Sequence, residues 1–488
     1  MKTRALISII FLITFIASCT PRTVVPSFTV TAEPTATAAP TITLTPAPQS
    51  LDDAPDLPTW VEEYVHAYGG KVIVNDVEMD AEQLTTAIRQ NPDLYTEVKH
   101  INTNEFPFAV VNETPLAYKD NQGFWKEITI KKLGVFTDRN IGTQFIGDRM
   151  DDPVYMHAMV SEFDFITIDG QLNMEVLLPN GGEIQIINLI LNGDDLSGVS
   201  EFFNWEASDQ AVEYANSNGL KVQGHHIFVN WSSLTDAVKK GLRSGEISYD
   251  NYEKFLKVYV QTLVGHYNQQ GLKIDEWTVT NEVSGALLWS DDQDILRELF
   301  INRHLMTKLC VWVKEVNPEI RTIVSEDHLF ENQTSGLLHT FINLVSNSLA
   351  EGAPIDEIGI QNHLWIYSFP TEEEIDAALN RLDILGLPIS STEVTISISK
   401  TDFFSAGVGN RWDIDTDKLL LEQAKSYKLL FSKIQKNALF GFTDARSCFS
   451  DPNDDAYDPT AKALILDEEI KTKPAYYAIL QVLYEQLP

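Results

Sequence analysis

Cysteine and basic residues are both scarce in this sequence. Three cysteines in 488 residues indicate neither a disulfide framework nor a Cys-based metal site. Basic residues number 36 against 70 acidic ones, and the net charge of −34 repels phosphate backbones. Nucleic acid is therefore not an expected partner, whereas a neutral polysaccharide meets no such repulsion.

Several motifs are also missing. No glycine-rich phosphate loop follows an apolar run, and the HExxH spacing of many zinc enzymes is absent. We therefore expect no cofactor and no metal. Cys310 and Cys448 are interpreted as two buried thiols, and a disulfide between them is the alternative.

The N-terminus has the order of an export signal. Lys2 and Arg4 precede an apolar run over residues 5–17, which is short for a membrane span. The segment ending at Cys19 resembles the lipobox of bacterial lipoproteins, which implies a signal peptide over 1–18 and lipid on Cys19. An ordinary secretory signal is the alternative. The lipid would anchor the protein outside the cytoplasm, at the cell surface or in the periplasm.

The rest of the chain divides by composition and periodicity. Residues 19–56 form a Thr/Pro/Ala-rich linker, and residues 57–123 predict a small α+β subdomain. From residue 124 to 488, apolar runs alternate with amphipathic stretches, which favours a (β/α)₈ TIM barrel of class α/β over an open sheet. The predicted strands are Ile141–Ile146, Phe163–Ile168, Lys221–Phe228, Glu276–Thr280, Arg321–Val324, Glu357–Gln361, Pro388–Ser391 and Ala438–Phe442.

Polar residues follow several of these predicted strands. A TIM barrel carries its active site at the C-terminal ends of its strands. Glu282 and Glu393 each follow such a strand, Gln361 ends one, and His225 follows the run Lys221-Val222-Gln223-Gly224 within another. Two carboxylates at one barrel mouth are the groups that glycoside hydrolysis requires.

The motifs around these residues resemble glycoside hydrolase family 10, best known for endo-β-1,4-xylanases. The resemblance runs from about residue 141 to the C-terminus and rests on five segments in the family's order. They are Glu276-Trp277-Thr278-Val279-Thr280-Asn281-Glu282, Gly359-Ile360-Gln361-Asn362-His363-Leu364, Ser391-Thr392-Glu393-Val394, Gly441-Phe442-Thr443-Asp444 and Lys473-Pro474-Ala475-Tyr476-Tyr477.

This resemblance implies a role for each residue of the pair. Family members retain anomeric configuration through a covalent glycosyl intermediate. Glu393 would be the nucleophile, held ionised by His363, and Glu282 the acid/base, its pKa raised by the neighbouring carboxylate.

Further residues would bind the sugar. By the same resemblance, Asn281 would donate to the 2-hydroxyl, while His225 and Gln361 would line the same subsite. Packed histidines, or a zinc site of His225, His226 and His363, are the alternatives.

The sequence departs from the family where xylanases hold the sugar. Asp169 stands where the family has a sugar-binding Glu, and Phe440 stands in place of a tryptophan. The expected activity is hydrolysis of xylan or a related β-glycan, with its specificity changed. The alternative is a non-catalytic surface protein that binds glycan on a decayed barrel.

Overall fold

A computed structural model describes residues 57–74, 76–90, 108–120, 122, 125–330, 336–399, 416–446 and 460–487. The predicted signal peptide, Cys19, the linker to residue 56 and Cys448 lie outside these ranges. Contacts divide the described residues into two compact units that meet in the chain between Ile128 and Thr129. In the part of the chain that the structure describes, no helix is both long and apolar enough to cross a membrane.

The N-terminal unit is small and mixes helices with antiparallel strands. It comprises α1 (Leu57–Ala67), β1 (Val72–Val74), β2 (Val77–Met79), α2 (Ala81–Gln90), β3 (Phe108–Val111), β4 (Thr114–Lys119) and β5 (Trp125–Glu127). Strands β1 and β2 form a hairpin, and β3, β4 and β5 form a second sheet. The buried Tyr64 hydroxyl of α1 donates to the Val111 carbonyl at 3.2 Å, which joins helix and sheet.

The second unit is a closed barrel of eight parallel strands, so the predicted (β/α)₈ fold is confirmed. Its strands are β6 (Asn140–Gln144), β7 (Phe165–Ile168), β8 (Lys221–Phe228), β9 (Glu276–Asn281), β10 (Arg321–Glu326), β11 (Glu357–Trp365), β12 (Ile389–Ser397) and β13 (Lys436–Leu439). They pair in chain order, and β13 closes on β6.

Helices surround this barrel and lie before, between and after its strands in the chain. They are α3 (Ile130–Thr137), α4 (Pro153–Glu162), α5 (Met174–Leu177), α6 (Gly182–Asn192), α7 (Glu206–Ser217), α8 (Asn230–Ser233), α9 (Asp236–Ser244), α10 (Tyr249–Gln270), α11 (Val283–Trp289), α12 (Gln293–Leu296), α13 (Leu305–Val316), α14 (Leu337–Ala350), α15 (Glu372–Leu382), α16 (Thr416–Lys433) and α17 (Pro474–Glu485). Side-chain caps define where helices begin. For example, Thr371 and Glu374 form a reciprocal capping box at the start of α15.

Some predicted strand ends are wrong. Strands β10, β11 and β12 run two, four and six residues further than predicted, to Glu326, Trp365 and Ser397. The prediction stopped these strands near their first polar residues, but those side chains bond across the barrel. For example, the Ser325 and Thr392 hydroxyls lie 2.9 Å apart. Polar residues therefore continue these strands, because neighbouring strands satisfy them.

The N-terminal end of the barrel holds a network of paired charges. The Lys436 ammonium, at the start of β13, lies 2.9 Å from Glu357 Oε1 and also bonds Glu276. Arg321 donates to Glu357 Oε2 at 2.6 Å. Each of these four residues begins a barrel strand. The network therefore joins β9, β10, β11 and β13 at one end of the barrel.

Candidate active site

The predicted site residues converge at the C-terminal end of the barrel. Gln361 of β11 is the register partner of Glu393 in β12, and Asn281 of β9 is the partner of Ser325 in β10. Since β9, β10, β11 and β12 are consecutive around the barrel, Glu282 and Glu393 lie at the same mouth.

Irregularities in strand pairing and backbone conformation set the directions in which these side chains point. The β11–β12 pairing skips Thr392, immediately before Glu393, and the β9–β10 pairing skips Val279. A bulge of this kind changes the face to which the following side chains point. Glu282 itself has a φ of 56°, in the left-handed region that residues other than glycine seldom adopt. The backbone is thus bent at both glutamates.

Close packing between β8 and β9 supports this geometry. Trp277 is fully buried, and its ring lies directly over Gly224. A Cβ added at residue 224 would approach the indole to 2.5 Å, so a glycine is required there. Trp277 is therefore a packing residue that holds the strand carrying Glu282 against the strand carrying His225.

Glu393 is buried between two imidazoles. His225 Nε2 lies 3.0 Å from Oε1, and His363 Nε2 hydrogen bonds to Oε2 at 3.1 Å. Burial alone would raise the pKa of Glu393, but His225 and His363 outweigh burial and hold that pKa well below its usual range. Glu393 is therefore ionised at neutral pH, the state that a nucleophile requires.

The two imidazoles are supported differently. A carboxylate only accepts, so His363 donates from Nε2, and in the neutral ring its Nδ1 accepts from the Thr395 hydroxyl at 3.1 Å. Phe440 packs edge-on against the His363 ring, with centroids 5.0 Å apart. His225, in contrast, has no hydrogen-bond partner at Nδ1 among the described residues. Phe440 thus fixes one of the two imidazoles.

Glu282 has the opposite environment. Burial, and then the negative charges of Asp327, Glu393 and Glu326, raise its pKa well above the usual value. The sequence-based expectation credited this shift to the neighbouring carboxylate, whereas burial is its largest cause. Glu282 nevertheless remains partly accessible to solvent. Its acid form is therefore favoured, and the side chain is open to a bound molecule.

A short chain of amides connects Glu282 to β11, the strand beside Glu393. Gln361 Nε2 donates to Asn281 Oδ1 at 2.9 Å, and Asn281 Nδ2 lies 3.3 Å from Glu282 Oε1. Because both Asn281 and Gln361 are buried, their orientation is set by these contacts. The amides therefore fix the position of Glu282 relative to the strand beside Glu393.

Asp169 lies on the Glu393 side of the site. It directly follows β7, it is buried, and its Oδ2 accepts from Gln144 Nε2 at 3.0 Å. Burial raises the pKa of Asp169 to about 6.

A group suited to a metal ion lies in the same place. Among the described residues, Asp169, His225 and His226 can each present one ligand atom within 4.8 Å of the others. His363, the third residue of the zinc alternative, is not in this group.

Sequence reasoning missed two acidic residues at the mouth. Glu326 is fully buried at the end of β10, where it accepts from the Ser284 amide at 2.7 Å, and burial raises its pKa to about 8. Asp327 follows it and is also buried. The signal was present: Ser325-Glu326-Asp327-His328 is a polar run after an apolar strand, like the runs that identified the other residues.

The arrangement offers two carboxyl groups whose pKa values are shifted in opposite directions. One is an anion that can attack, and the other is an acid that can donate a proton. Environments that push the pKa values of two titratable groups apart are characteristic of acid/base pairs. The site can therefore attack an electrophilic carbon and protonate the leaving oxygen.

Comparisons with known proteins agree on one family. The model for "Glycosyl hydrolase family 10" matches residues 129–482. Endo-1,4-beta-xylanase B of Thermotoga neapolitana is 26% identical over 348 residues, covering 69% of this chain and 85% of that protein. Endo-1,4-beta-xylanase C of Paenibacillus barcinonensis is also 26% identical, over 67% of this chain, but this chain spans only 29% of that enzyme.

Solved structures support the fold. Native xylanase 10B from Thermotoga maritima superposes with a TM-score of 0.57 at 22% identity, covering 74% of this chain and 99% of that one. Xylanase 10B from Thermotoga petrophila, solved in complex with xylobiose, gives a TM-score of 0.57 at 21% identity.

Proposed function

Because the chain belongs to glycosyl hydrolase family 10, we propose that it hydrolyses xylan or a related β-1,4-linked glycan with retention of anomeric configuration. The family resemblance predicted from the sequence motifs is confirmed, and the chain is a xylanase-like glycoside hydrolase. The observation that carries the proposed mechanism is the contrast between Glu393, held ionised between two imidazoles, and Glu282, whose acid form is favoured by burial and by neighbouring carboxylates.

The first step joins Glu393 to the sugar. A Glu393 oxygen attacks the anomeric carbon, the bond to the leaving oxygen breaks, and Glu282 gives its proton to that oxygen. In the second step Glu282, now ionised, takes a proton from water, and the water oxygen attacks the anomeric carbon. The ester bond breaks, and its electron pair returns to Glu393.

The remaining residues would orient the sugar. Asn281 Nδ2 faces Glu282 and is available to a sugar hydroxyl that lies between the two glutamates. Gln361 holds Asn281, and Phe440 holds His363, so both act on the sugar subsite mainly through these partners. This interpretation shifts Gln361 and Phe440 from direct sugar contacts to supports of the site.

The test is turnover with a defined stereochemical result. Purified protein lacking residues 1–19 is incubated with aryl β-xylosides, xylan, arabinoxylan, mixed-linkage β-glucan and mannan. Proton NMR then identifies the first anomer released. We expect β-anomers first from a xylan-type substrate. Release of α-anomers would contradict the double displacement, and glycan binding without turnover would favour the non-catalytic alternative.

We also propose that the protein acts outside the cytoplasm, anchored by lipid at Cys19. The support is the sequence order of Lys2 and Arg4, an apolar run, small residues and Cys19. Expression of the full chain in a bacterial host with radiolabelled palmitate tests this proposal. Label and membrane association lost in Cys19→Ala would support it, whereas an unlabelled protein in the medium would indicate an ordinary signal.

A further inference from the structure

Two adjacent histidines and an aspartate form a compact buried group beside the nucleophile. His225 and His226 belong to β8, and Asp169 directly follows β7. All three are more than nine-tenths buried, and each can present one ligand atom within 4.8 Å of the others. Zinc bonds of about 2.0–2.1 Å place tetrahedral ligand atoms about 3.3 Å apart, so side-chain rotations of about 1 Å would close this group on an ion.

An irregularity in β8 accompanies the approach of the two imidazoles. Successive residues of a regular strand point to opposite faces of the sheet. Between His225 and Phe228 the chain advances three residues in β8, while the pairing partners in β9 advance two. A bulge of this kind changes the direction of the side chains that follow it. The ring centroids of His225 and His226 lie 4.7 Å apart, and Trp231 meets the His226 ring edge-on.

Two atoms of the group lack a hydrogen-bond partner. Among the residues that the structure describes, neither Asp169 Oδ1 nor His225 Nδ1 has one. Both atoms are buried, and a buried polar atom without a partner costs free energy. One metal ion would satisfy them together, because carboxylate oxygen and imidazole nitrogen both bind divalent transition metals. The unpartnered atoms are thus of the kinds that a metal site requires.

The other polar atoms of Asp169 and His225 are already engaged. Gln144 Nε2 donates to Asp169 Oδ2 at 3.0 Å, and His225 Nε2 lies 3.0 Å from Glu393 Oε1. A metal-binding histidine commonly donates its second ring nitrogen to a carboxylate, which orients the ring and fixes its tautomer. Glu393 has this position relative to His225. Nδ1 is therefore the nitrogen that His225 can offer to a metal.

We propose that Asp169, His225 and His226 form a binding site for a divalent transition metal such as Zn²⁺, and that the bound ion inhibits the enzyme. Two imidazoles and one carboxylate favour zinc, cobalt, nickel or copper over magnesium and calcium, which prefer oxygen ligands. The sequence led us to expect no metal because local spacing was the signal considered. These ligands come from two strands, and Asp169 and His225 are 225 − 169 = 56 residues apart.

Inhibition follows from the place of the group in the site. His225 contacts the nucleophile Glu393, and the family resemblance puts both Asp169 and His225 at the sugar-binding positions. An ion bound there would engage the groups that the sugar needs, so metal and substrate should compete. This second half of the inference rests on the proposed function, whereas metal binding does not.

The first experiment measures metal binding without turnover. The purified protein lacking residues 1–19 is stripped with EDTA and then titrated with Zn²⁺ in a calorimeter and with Co²⁺ by visible absorption. We expect one ion per wild-type chain. His226→Phe removes a ligand that has no part in the proposed reaction. The affinity should fall about 100-fold or more, because losing an outer partner of a ligand alone costs about 10- to 100-fold. Asp169→Asn should also lose binding, and it replaces His226→Phe if that variant does not fold.

His266→Phe is the matched control. His266 Nε2 lies 2.7 Å from Asp209 Oδ1, so this histidine also pairs with a carboxylate, but on the helices α10 and α7. Among the described residues, these two belong to no group of three metal ligands. His266→Phe should therefore bind Zn²⁺ as wild type does. Cys448→Ser should do the same, which would exclude a thiolate ligand at that position.

The second experiment measures inhibition. Initial rates on an aryl β-xyloside are compared in EDTA and in free Zn²⁺ at ten times the measured Kd. For competition, the apparent KM of wild type should rise about elevenfold, by the factor 1 + [L]/Kd, with kcat unchanged. His226→Phe should turn over the substrate in EDTA and show no such rise at the same Zn²⁺ concentration.

Each half of the inference has its own contrary result. A wild type that binds no ion, or zinc affinity unchanged in both His226→Phe and Asp169→Asn, would overturn the site. Zinc binding with an unchanged KM, or turnover that requires zinc, would overturn the inhibitory role. A wild type that binds zinc but turns over no substrate with or without it would instead refute the proposed function, and the cobalt spectrum would still decide the metal site.

Discussion

At the N-terminal end of the barrel, every buried charge of the Lys436 network has a partner of opposite sign. At the C-terminal end, several carboxylates of like charge lie close together. Lys436 lies between Glu276 and Glu357. At the other end Glu282 has three further carboxylates for neighbours and a strained backbone. Removing one partner of a buried ion pair destabilises a fold, while groups with perturbed pKa values mark sites of chemistry. Buried charges in this barrel therefore serve stability at the N-terminal end and chemistry at the C-terminal end.

The largest expected effect is the loss of the nucleophile. In Glu393→Gln the attacking oxygen is replaced by a neutral amide, so kcat/KM on xylan should fall about 10⁵-fold, as for other groups that form a covalent intermediate. Steady-state kinetics with circular dichroism measures this. The control is Glu373→Gln on the exposed first turn of α15, which should retain full activity. A residual kcat/KM above about 10⁻² of the wild-type value would contradict the assignment.

The acid/base residue should show a leaving-group dependence. Glu282→Gln cannot protonate the leaving oxygen, so kcat/KM on xylan should fall about 10²- to 10⁴-fold. The first step on a dinitrophenyl glycoside should change far less, because dinitrophenolate leaves without a proton. Equal losses on both substrates would show that Glu282 is not the acid.

A substitution at the N-terminal end of the barrel should lower the stability of the protein and leave its activity unchanged. Lys436→Met leaves Glu276 and Glu357 without their ammonium partner, so we expect about 3–5 kcal/mol less free energy of unfolding. The value of kcat/KM at 25 °C should not change. Urea unfolding at pH 7 and initial rates provide the two measurements.

The control for this change is an exposed lysine. Lys425 pairs with Glu422 on the surface of α16, and Lys425→Met should alter stability by no more than about 0.5 kcal/mol. A Lys436→Met protein that kept its stability but lost activity would reverse the proposed division between the two ends of the barrel.

The sequence predicted the barrel and the family because both depend on short local patterns. Apolar runs that end in polar residues predicted eight strands, and the same runs located the pair of glutamates. The sequence did not predict how far β12 extends, because a polar residue such as Ser391 is satisfied by a neighbouring strand, through Asn362 at 2.9 Å. Such partners are not visible in a linear sequence.

The electrostatics of the site were also beyond prediction. The interaction of His225 with Glu393 depends on bulges that change register on both β8 and β12. The raised pKa of Glu282 depends on burial and then on Asp327, which lies 327 − 282 = 45 residues further along the chain. A strand alternation pattern gives the face of a residue only until the first bulge.

The smallest expected effect is a change in the pKa of Glu282, with the acid itself retained. Asp327 is the charged neighbour that raises the pKa of Glu282 most, so Asp327→Asn should stabilise the ionised form of Glu282 and lower that pKa. The basic limb of the kcat/KM profile should therefore move to lower pH by about one unit. Glu326→Gln is the comparison: with a pKa of about 8, Glu326 is mostly uncharged at neutral pH, and its replacement should move the limb less. If Glu326→Gln moved the limb further than Asp327→Asn, the negative charge next to Glu282 would reside on Glu326. The two ends of the barrel would then differ less than proposed.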